Sequence, residues 1–152
     1  MIKHIKCDIF ESGADIICHQ VNCQGVMGSG VAKQVKEKYP MVYREYKAVC
    51  NMYQPSELLG LNLITYIDKT HMIANLFGQE RFGYDGKCYT NYDSLLNALE
   101  QLRDGYSNKT IAIPYLMGCH RGGGDWDTVY EMIEKVFADS NCDILICEYN
   151  GG

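Results

Sequence analysis

Residues 15–32 have the sequence DIICHQVNCQGVMGSGVA, and this stretch decides the fold. Its first part, DIICHQV, is short and rich in β-branched side chains, which is typical of a strand. Glycines interrupt residues 22–30, and from Ser29 apolar residues recur at helical spacing until Pro40 ends the pattern. A strand that passes through a glycine-rich loop directly into a helix is the unit from which parallel α/β sheets are built.

The alternation of strand and helix continues over most of the chain. Further strands are predicted at 2–6, 61–67, 72–77, 110–116 and 142–149, and further helices at 41–51, 92–102 and 129–136. The sequence therefore predicts an α/β protein with helices on both faces of a mixed, largely parallel sheet of about six strands. The length of 152 residues fits a single domain spanning 1–152.

Composition and charge exclude several kinds of function. The net charge of −5 argues against a surface that binds duplex nucleic acid by neutralising many phosphates. The first residues lack the pattern of a secretory signal, and no apolar run approaches the roughly 18 residues of a membrane span. We therefore expect a cytoplasmic protein with no membrane partner, and we also expect a monomer. Because no export signal is seen, the eight cysteines are expected to be reduced, and because no pair has C-x-x-C spacing we expect no metal site. We also expect no cofactor.

Two glycine-rich loops follow the second and fifth predicted strands. In the first, residues 19–32, glycines let backbone amides approach a ligand, and the helix N-terminus favours an anion. This loop lacks the ending of a P-loop, so a simple strand-to-helix turn is the alternative. In the second, residues 117–126, three successive glycines beside Arg121 can form a nest of amides for a diphosphate. Ligands of such sheets bind at the carboxyl ends of the strands, where these loops are expected to meet.

The pattern V-N-x-x-x-x-x-G-x-G-V-A, supplied by Val21 to Ala32, resembles the signature of macro domains, and the resemblance extends over nearly the whole chain. It implies the three-layer α/β/α macro-domain fold, with ADP-ribose or a derivative as the ligand and Asn22 at the distal ribose. The ligand-binding residues expected in the two loops are Gly28, Ser29, Gly30, Val31, Met117, Gly118, Cys119, His120, Arg121 and Gly122. For His120 and Arg121, exposure to solvent is the alternative.

The same resemblance suggests where the adenine binds. Residues 6–10, KCDIF, resemble the segment that follows the first strand in the family. This implies that Asp8 accepts a hydrogen bond from the adenine amino group and that the amide of Ile9 is a second contact. The end of the last strand would form a wall beside the adenine, with Tyr149 and Asn150 as the wall residues.

A longer pattern, H-x-x-N-C-x-G-x-x-G-x-G-x-A-x-Q from His19 to Gln34, is similar to the fungal-type ADP-ribose-1''-phosphate phosphatase branch. This similarity implies hydrolysis of ADP-ribose-1''-phosphate to ADP-ribose and phosphate, with catalytic roles for His19 and Asn22. A histidine with a pKa near neutrality could orient or deprotonate a water molecule, or protonate a leaving phosphate. The alternative is that His19 only hydrogen-bonds the loop.

A related branch removes ADP-ribose from acidic side chains or modified guanosine, using a lysine after the fourth strand and an aspartate in the second loop. The corresponding positions here hold Gln79 and Gly122. Glutamine cannot form a covalent amine adduct with the opened ribose, so the lysine mechanism is not expected unless a shifted alignment brings Arg81, Lys87 or Asp125 into one of these two positions. Two alternatives therefore stay open. One is hydrolysis of ADP-ribosylated proteins or nucleic acids, which would then be partners, and the other is an ADP-ribose-binding module without chemistry.

Several other residues have a structural and a functional interpretation. Cys119 beside His120 does not indicate a thiol nucleophile, because neighbours in a chain rarely point at each other. Trp126 is expected to anchor packing rather than to stack on a ligand. For the aromatic residues in or near the loop after the fourth strand, ordinary packing is favoured over a cover for the distal ribose; these are Phe77, Phe82 and Tyr84.

Overall fold

The computed structural model describes residues 1–149. Asn150, predicted to lie beside the adenine, is outside the described residues. In chain order the elements are β1 (Ile2–Lys6), β2 (Ile16–Val21), α1 (Gly30–Lys38), α2 (Pro40–Met52), α3 (Pro55–Leu58), β3 (Asn62–Tyr66), β4 (Met72–Phe77), α4 (Tyr92–Gly105), β5 (Thr110–Pro114), α5 (Trp126–Phe137) and β6 (Asp143–Glu148). None of the helices within residues 1–149 has the length and hydropathy needed to cross a bilayer.

The strands form one mixed sheet in the order β1-β6-β5-β2-β4-β3. Every neighbouring pair is parallel except β3 and β4, which are antiparallel, so β3 is an antiparallel edge strand. β2 lies between β5 and β4, and its register with β4 runs from Ile16↔Met72 to Val21↔Phe77. The predicted mixed, largely parallel sheet is confirmed. The glycine-rich loop that leaves β2 therefore starts near the centre of the sheet.

Helices cover both faces of the sheet, which confirms the predicted three layers. α4 and α5 pack over the face to which Ile16 points, and α1 and α2 pack over the face to which Ile17 points. Because both faces of β2 are covered, its first residues are continuously apolar rather than alternating. The polar residues His19 and Gln20 come near the carboxyl end of the strand, where the site is expected.

Two of the differences between the structure and the predicted elements have an identifiable local cause. α3 was not predicted, because a four-residue helix held by a capping box between Gln54 and Glu57 is too short to show a periodic pattern. β5 ends at Pro114 rather than at Leu116, because Leu116 adopts a left-handed φ of 65°. The chain leaves the sheet early there, and the second glycine-rich loop begins closer to β5 than the sequence indicated.

Candidate functional site

A cavity of about 550 Å³ opens at the carboxyl ends of the parallel strands. Asp8 after β1 and Tyr149 after β6 line it, as do Asn22 after β2 and Gln79 after β4. In the sheet, β1 and β4 are separated by three strands, so the cavity crosses most of the strand ends. Both glycine-rich loops line the same cavity, which confirms the prediction that they meet.

The first loop offers a row of free backbone amides to the cavity. Gly28, Ser29, Gly30 and Val31 all line it. The amides of residues 28–32 have no acceptor within residues 1–149, and Ser29, the N-cap of α1, makes no capping bond through its side chain. An uncapped helix N-terminus with free amides carries a partial positive charge. The loop therefore has the properties of an anion site, as its sequence indicated.

The second loop presents a second set of amides. Met117, Gly118, His120, Arg121 and Gly122 line the cavity. No acceptor within residues 1–149 is found for the amides of Gly118, His120, Arg121 and Gly122. The positive φ of 75° at Gly118 favours glycine there, because other side chains rarely adopt it. Two sets of unpaired amides on either side of one cavity are suited to a ligand with two linked phosphates.

Contacts from the neighbouring segment hold the second loop in this shape. Thr90 donates from Oγ1 to the carbonyl oxygen of Gly118 at 2.6 Å. The amides of Tyr89 and Thr90 donate to the carbonyl oxygen of Gly122 at 2.7 and 3.0 Å. The amide of Gly124 donates to the carbonyl oxygen of Gly118 at 2.9 Å. The carbonyl oxygens of Gly118 and Gly122 are thus occupied by donors of the protein, and the free amides of the loop stay available to a ligand.

The prediction that Cys119 binds the ligand is wrong for this structure. Cys119 does not line the cavity; its amide donates to the carbonyl oxygen of Leu116 and its thiol to that of Met117. Burial raises the pKa of the thiol to about 11, with a further contribution from Asp125, so the thiolate needed for nucleophilic attack does not form near neutral pH. Within residues 1–149 no cluster of cysteine, histidine and acidic side chains could hold a metal ion.

The predicted adenine contacts lie together at the β1 and β6 end of the cavity. Asp8 accepts from the amide of Phe10 through Oδ1 at 3.0 Å and caps the short 3₁₀ turn Ile9–Glu11, so it is both a capping residue and a lining residue. Its second carboxylate oxygen and the amide of Ile9 have no partner within residues 1–149. Tyr149 is exposed at the rim. One free acceptor beside one free donor is the arrangement that the edge of an adenine ring requires.

Asn22 is largely occupied by contacts within the protein. Its Oδ1 accepts from the amide of Gln24 at 2.9 Å and from the Tyr46 hydroxyl at 2.9 Å. Its Nδ2 donates to the carbonyl oxygen of Val26 at 2.9 Å. An asparagine side chain has two N–H donors, so one N–H stays available to a ligand. Asn22 therefore fixes the shape of the first loop and can present a single donor to the distal ribose.

His19 lines the cavity but is buried, with 2% of its surface exposed. Its Nε2 lies 2.8 Å from Oδ1 of Asn75 on β4, and Nδ2 of Asn75 donates to the carbonyl oxygen of Leu63. Because Asn75 uses its nitrogen on Leu63, its oxygen accepts from His19, and Nε2 carries the hydrogen. The lone pair of His19 is then on Nδ1, which has no hydrogen-bond partner within residues 1–149.

The expected near-neutral pKa of His19 is wrong. Burial lowers the pKa to about 4, and the hydrogen bond to Asn75 offsets only part of this effect. The imidazole is therefore neutral at physiological pH. A neutral imidazole can accept a hydrogen bond at Nδ1, but it is not an acid that could protonate a leaving phosphate.

The low pKa of His19 predicts a pH dependence of stability. The folded pKa is below the unfolded value of 6.5, so the unfolded chain binds more protons between these values and the free energy of unfolding falls as pH decreases. Between pH 7 and pH 5 this contribution is about 2 kcal/mol. Urea titrations at pH 7 and pH 5 measure how much free energy of unfolding each protein loses between these pH values. The loss in His19→Gln should be smaller than that in the native protein by about 2 kcal/mol. Equal losses in the two proteins would contradict the low pKa.

Curated proteins with similar sequences act on ADP-ribose derivatives according to their names. A DNA ADP-ribosyl glycohydrolase from Mycobacterium tuberculosis is 25% identical over 156 residues, covering 100% of this chain and 43% of the relative. An ADP-ribose 1''-phosphate phosphatase from Saccharomyces cerevisiae is 33% identical over 110 residues, covering 67% of this chain and 60% of the relative. The chain thus spans less than half the length of the mycobacterial relatives. No protein-family model matches the sequence.

Solved structures share the fold over nearly the whole chain. The macrodomain of Mycobacterium tuberculosis DarG superposes with a TM-score of 0.79 at 24% identity, covering 100% of this chain and 99% of that one. This chain therefore has the macro-domain fold. Thermosipho africanus DarTG in complex with ADP-ribose has a TM-score of 0.79 at 20% identity, covering 97% of this chain and 41% of that one. The macro-domain fold expected from the sequence is confirmed.

A buried polar network of this macro domain was missed by sequence analysis. Nε2 of Gln20 donates to Oε1 of Gln79 at 2.7 Å and to Oγ1 of Thr90 at 2.9 Å. Nε2 of Gln79 donates to the carbonyl oxygen of Arg81 at 2.7 Å. With 9% of its surface exposed and its amide engaged at both ends, Gln79 is a structural residue at the position that the resemblance assigns to the lysine of the related branch. The network connects β2 to the segment that holds the second loop.

The residues that could have replaced the missing lysine do not line the cavity. Arg81 pairs with Glu80 at 3.4 Å, and Lys87 pairs with Asp85 at 3.8 Å. Asp125 is the N-cap of α5 and accepts from the amide of Thr128 through its carboxylate. The macro domain therefore brings no amine nucleophile into the cavity within residues 1–149.

Aromatic side chains of the macro domain divide between packing and the rim of the cavity. Phe77 is buried and stacks on Tyr46, with ring centroids 5.9 Å apart, and Trp126 packs edge-on against Tyr115 at 5.3 Å. Phe77 and Trp126 are therefore packing residues, which is the interpretation favoured from the sequence. In the segment after β4, Phe82 and Tyr84 line the cavity and are exposed. The guanidinium of Arg121 lies 4.5 Å from the centre of the Tyr84 ring, which connects the second loop to the segment after β4 across the rim.

Proposed function

We propose that this macro domain binds ADP-ribose and hydrolyses a derivative of it at the distal ribose, with ADP-ribose-1''-phosphate as the substrate. The observation that carries the proposal is the pair of loops whose free amides line one cavity, those of residues 28–31 in the first loop and those of Gly118, His120, Arg121 and Gly122 in the second. Amide dipoles act over short distances, so they hold a diphosphate in a protein whose net charge is −5.

The positions of the other lining residues orient the ligand. Asp8 and Ile9 offer an acceptor and a donor for adenine at the β1 and β6 end of the cavity. The distal ribose then lies toward Asn22 and His19 at the end of β2. This orientation agrees with the resemblance of residues 6–10 and 21–32 to the segments that bind these groups in the family.

The proposed reaction uses water as its co-reactant. Water attacks phosphorus, the bond from phosphorus to the oxygen of the distal anomeric carbon breaks, and ADP-ribose and inorganic phosphate leave. Nδ1 of His19 is buried and has no hydrogen-bond partner within residues 1–149. In the proposed complex it accepts a hydrogen bond from the attacking water or from a ribose hydroxyl and thereby orients that group. The proton on the leaving oxygen comes from solvent, because His19 is neutral at physiological pH.

The test combines turnover and binding on one preparation. Purified protein is incubated with ADP-ribose-1''-phosphate while phosphate release is measured, and ADP-ribose is titrated calorimetrically in parallel. Phosphate release together with binding supports the proposal. Binding without release leaves a macro domain that recognises ADP-ribose and removes the phosphatase assignment, and absence of both removes the ligand assignment.

A second candidate is hydrolysis of ADP-ribose from nucleic acid. The similarity to the mycobacterial DNA ADP-ribosyl glycohydrolase covers 100% of this chain, whereas the yeast phosphatase covers 67% of it. Against this candidate, Gln79 occupies the position of the lysine and is held in a structural network. An oligonucleotide carrying ADP-ribose on a base, incubated under the same conditions, separates the two. If the protein releases ADP-ribose from the oligonucleotide but no phosphate from ADP-ribose-1''-phosphate, the nucleic-acid hydrolase would replace the phosphatase as the proposed function.

Substitution of Asp8 tests the adenine contact. Asp8→Asn keeps an oxygen that can cap the 3₁₀ turn but loses the charge that strengthens a hydrogen bond from the adenine amino group. We expect ADP-ribose to bind about tenfold more weakly to this variant. Replacing adenine with hypoxanthine, which has a carbonyl at that position, should reduce binding to the native protein and much less to Asp8→Asn. Calorimetry with both nucleotides measures this, and equal discrimination in both proteins would contradict the contact.

A further inference from the structure

Arg121 is the only arginine or lysine that lines the cavity among residues 1–149. The only carboxylate that lines it among these residues is Asp8, which follows β1. Arg121 is exposed and forms no ion pair within residues 1–149. A guanidinium without a carboxylate partner is available to an anionic group of a ligand in the cavity.

The ring of Tyr84 holds Arg121 at the rim of the cavity. The guanidinium of Arg121 lies 4.5 Å from the centre of this ring, and the Tyr84 hydroxyl would lie 3.8 Å from a Cβ added at Gly28 in the first loop. Tyr84 is thus close to both glycine-rich loops. A cation–π contact restricts the arginine side chain but leaves its N–H groups free to donate.

The segment that carries Tyr84 is fixed to the second loop. The hydroxyl of Tyr89 lies 2.9 Å from each carboxylate oxygen of Asp85, and the amide of Tyr89 donates to the carbonyl oxygen of Gly122 at 2.7 Å. Asp85 follows Tyr84 in the chain, and Gly122 follows Arg121. These contacts therefore keep the ring and the guanidinium together, which reduces the entropy lost when Arg121 binds a ligand.

The position of Arg121 determines which part of the ligand it meets. The proposed adenine contacts follow β1, and three strands separate β1 from β4 in the sheet. Tyr84 follows β4, so the Arg121 side chain in contact with it lies toward the end of the cavity away from adenine. In an extended ligand, that end holds the anomeric carbon of the distal ribose and the group attached to it.

We infer that Arg121 binds the phosphate on the anomeric carbon and selects ligands by the charge at this position, with Tyr84 as its positioning residue. The guanidinium fork matches two oxygens of a phosphate monoester, which the neutral hydroxyl of ADP-ribose does not offer. A cationic group on the same carbon, such as the nicotinamide ring of NAD⁺, would be repelled. The inference rests on the proposed function for the identity of the ligand.

The test compares three ligands that differ in charge at the anomeric carbon. They are ADP-ribose, NAD⁺ and an analogue of ADP-ribose-1''-phosphate in which CH₂ replaces the anomeric oxygen, so that its phosphonate cannot be released. Calorimetry gives each Kd for the native protein and for Arg121→Gln. The variant should bind the analogue about tenfold or more weakly, ADP-ribose within about threefold of the native protein, and NAD⁺ no more weakly than the native protein.

Two further comparisons separate charge selection from a general effect on the protein. Arg44→Gln removes one positive charge from α2, where Arg44 is exposed, does not line the cavity and forms no ion pair within residues 1–149. It should leave all three affinities within about twofold. Tyr84→Leu removes the ring and should weaken binding of the analogue about threefold, whereas Tyr84→Phe keeps the ring and should bind it with native affinity.

Equal losses for all three ligands in Arg121→Gln would place Arg121 on the diphosphate and overturn the inference. Unchanged affinity of this variant for the analogue, or a native protein that does not prefer the analogue to ADP-ribose, would also overturn it. Because the analogue is not cleaved, its binding is measured whether or not ADP-ribose-1''-phosphate is hydrolysed. Charge selection by Arg121 in a protein that releases no phosphate refutes only the phosphatase assignment, and phosphate release with unchanged selection in Arg121→Gln refutes only this inference.

Discussion

Replacing Gly122 with alanine is expected to weaken ADP-ribose binding about a hundredfold or more. A Cβ at this position would lie 2.6 Å from the carbonyl oxygen of Gly118 and 2.5 Å from Oγ1 of Thr90. These two groups form the 2.6 Å hydrogen bond that holds the second loop. The backbone must therefore move, and the free amides of the loop lose their common direction. Losing two hydrogen bonds to a charged diphosphate costs about 3 kcal/mol, or a factor of about a hundred in Kd.

A second glycine provides the matched control. Gly105 ends α4, and an added Cβ there meets nothing within 4 Å. Gly105→Ala should therefore bind ADP-ribose with native affinity. Calorimetry gives Kd for the three proteins, and thermal unfolding followed by circular dichroism shows whether each variant is folded. A folded Gly122→Ala protein that binds ADP-ribose within threefold of the native protein would contradict the role of the second loop.

The parts of the fold that were predicted depend on signals local in sequence. The apolar run that ends at Val21 and the glycines before α1 identify a strand, a loop and a helix without knowledge of their neighbours. Parallel strands place their carboxyl ends at one edge, so the meeting of the two loops follows from topology. α3 and the early end of β5 depend on a capping box and on the φ of Leu116, and neither leaves a periodic pattern.

The parts of the site that were not predicted depend on contacts between distant residues. Gln20 meets Gln79 and Thr90 across 59 and 70 residues of sequence, and no motif marks any of the three. The partner of His19 is Asn75, brought beside it by the register of β2 and β4. No local pattern indicates this neighbour or the full burial of His19, so a pKa of about 4 could not be predicted.

The pKa of His19 distinguishes two mechanisms for the proposed hydrolysis. An imidazole with a pKa near 6.5 would lose its basic form as pH falls through 6.5, and turnover would fall with it. With a pKa of about 4, the neutral form with a free Nδ1 persists across the physiological range. The titration of His19 should then leave turnover unchanged down to about pH 5 and lower it only as the pH approaches 4. An acid limb near pH 6.5 that disappears in a His19 variant would contradict the structure.

Replacing His19 with glutamine is expected to reduce turnover of ADP-ribose-1''-phosphate by about a hundredfold to a thousandfold. Glutamine can still hydrogen-bond Asn75, but it offers no imidazole lone pair to the water or ribose hydroxyl. Affinity for ADP-ribose should stay within about threefold, because the loop amides and Asp8 hold the ligand. His71→Gln is the control, since His71 is half-buried in the turn between β3 and β4 and does not line the cavity. Equal turnover in both variants would leave His19 as a structural residue, bound to Asn75 and without a part in the reaction.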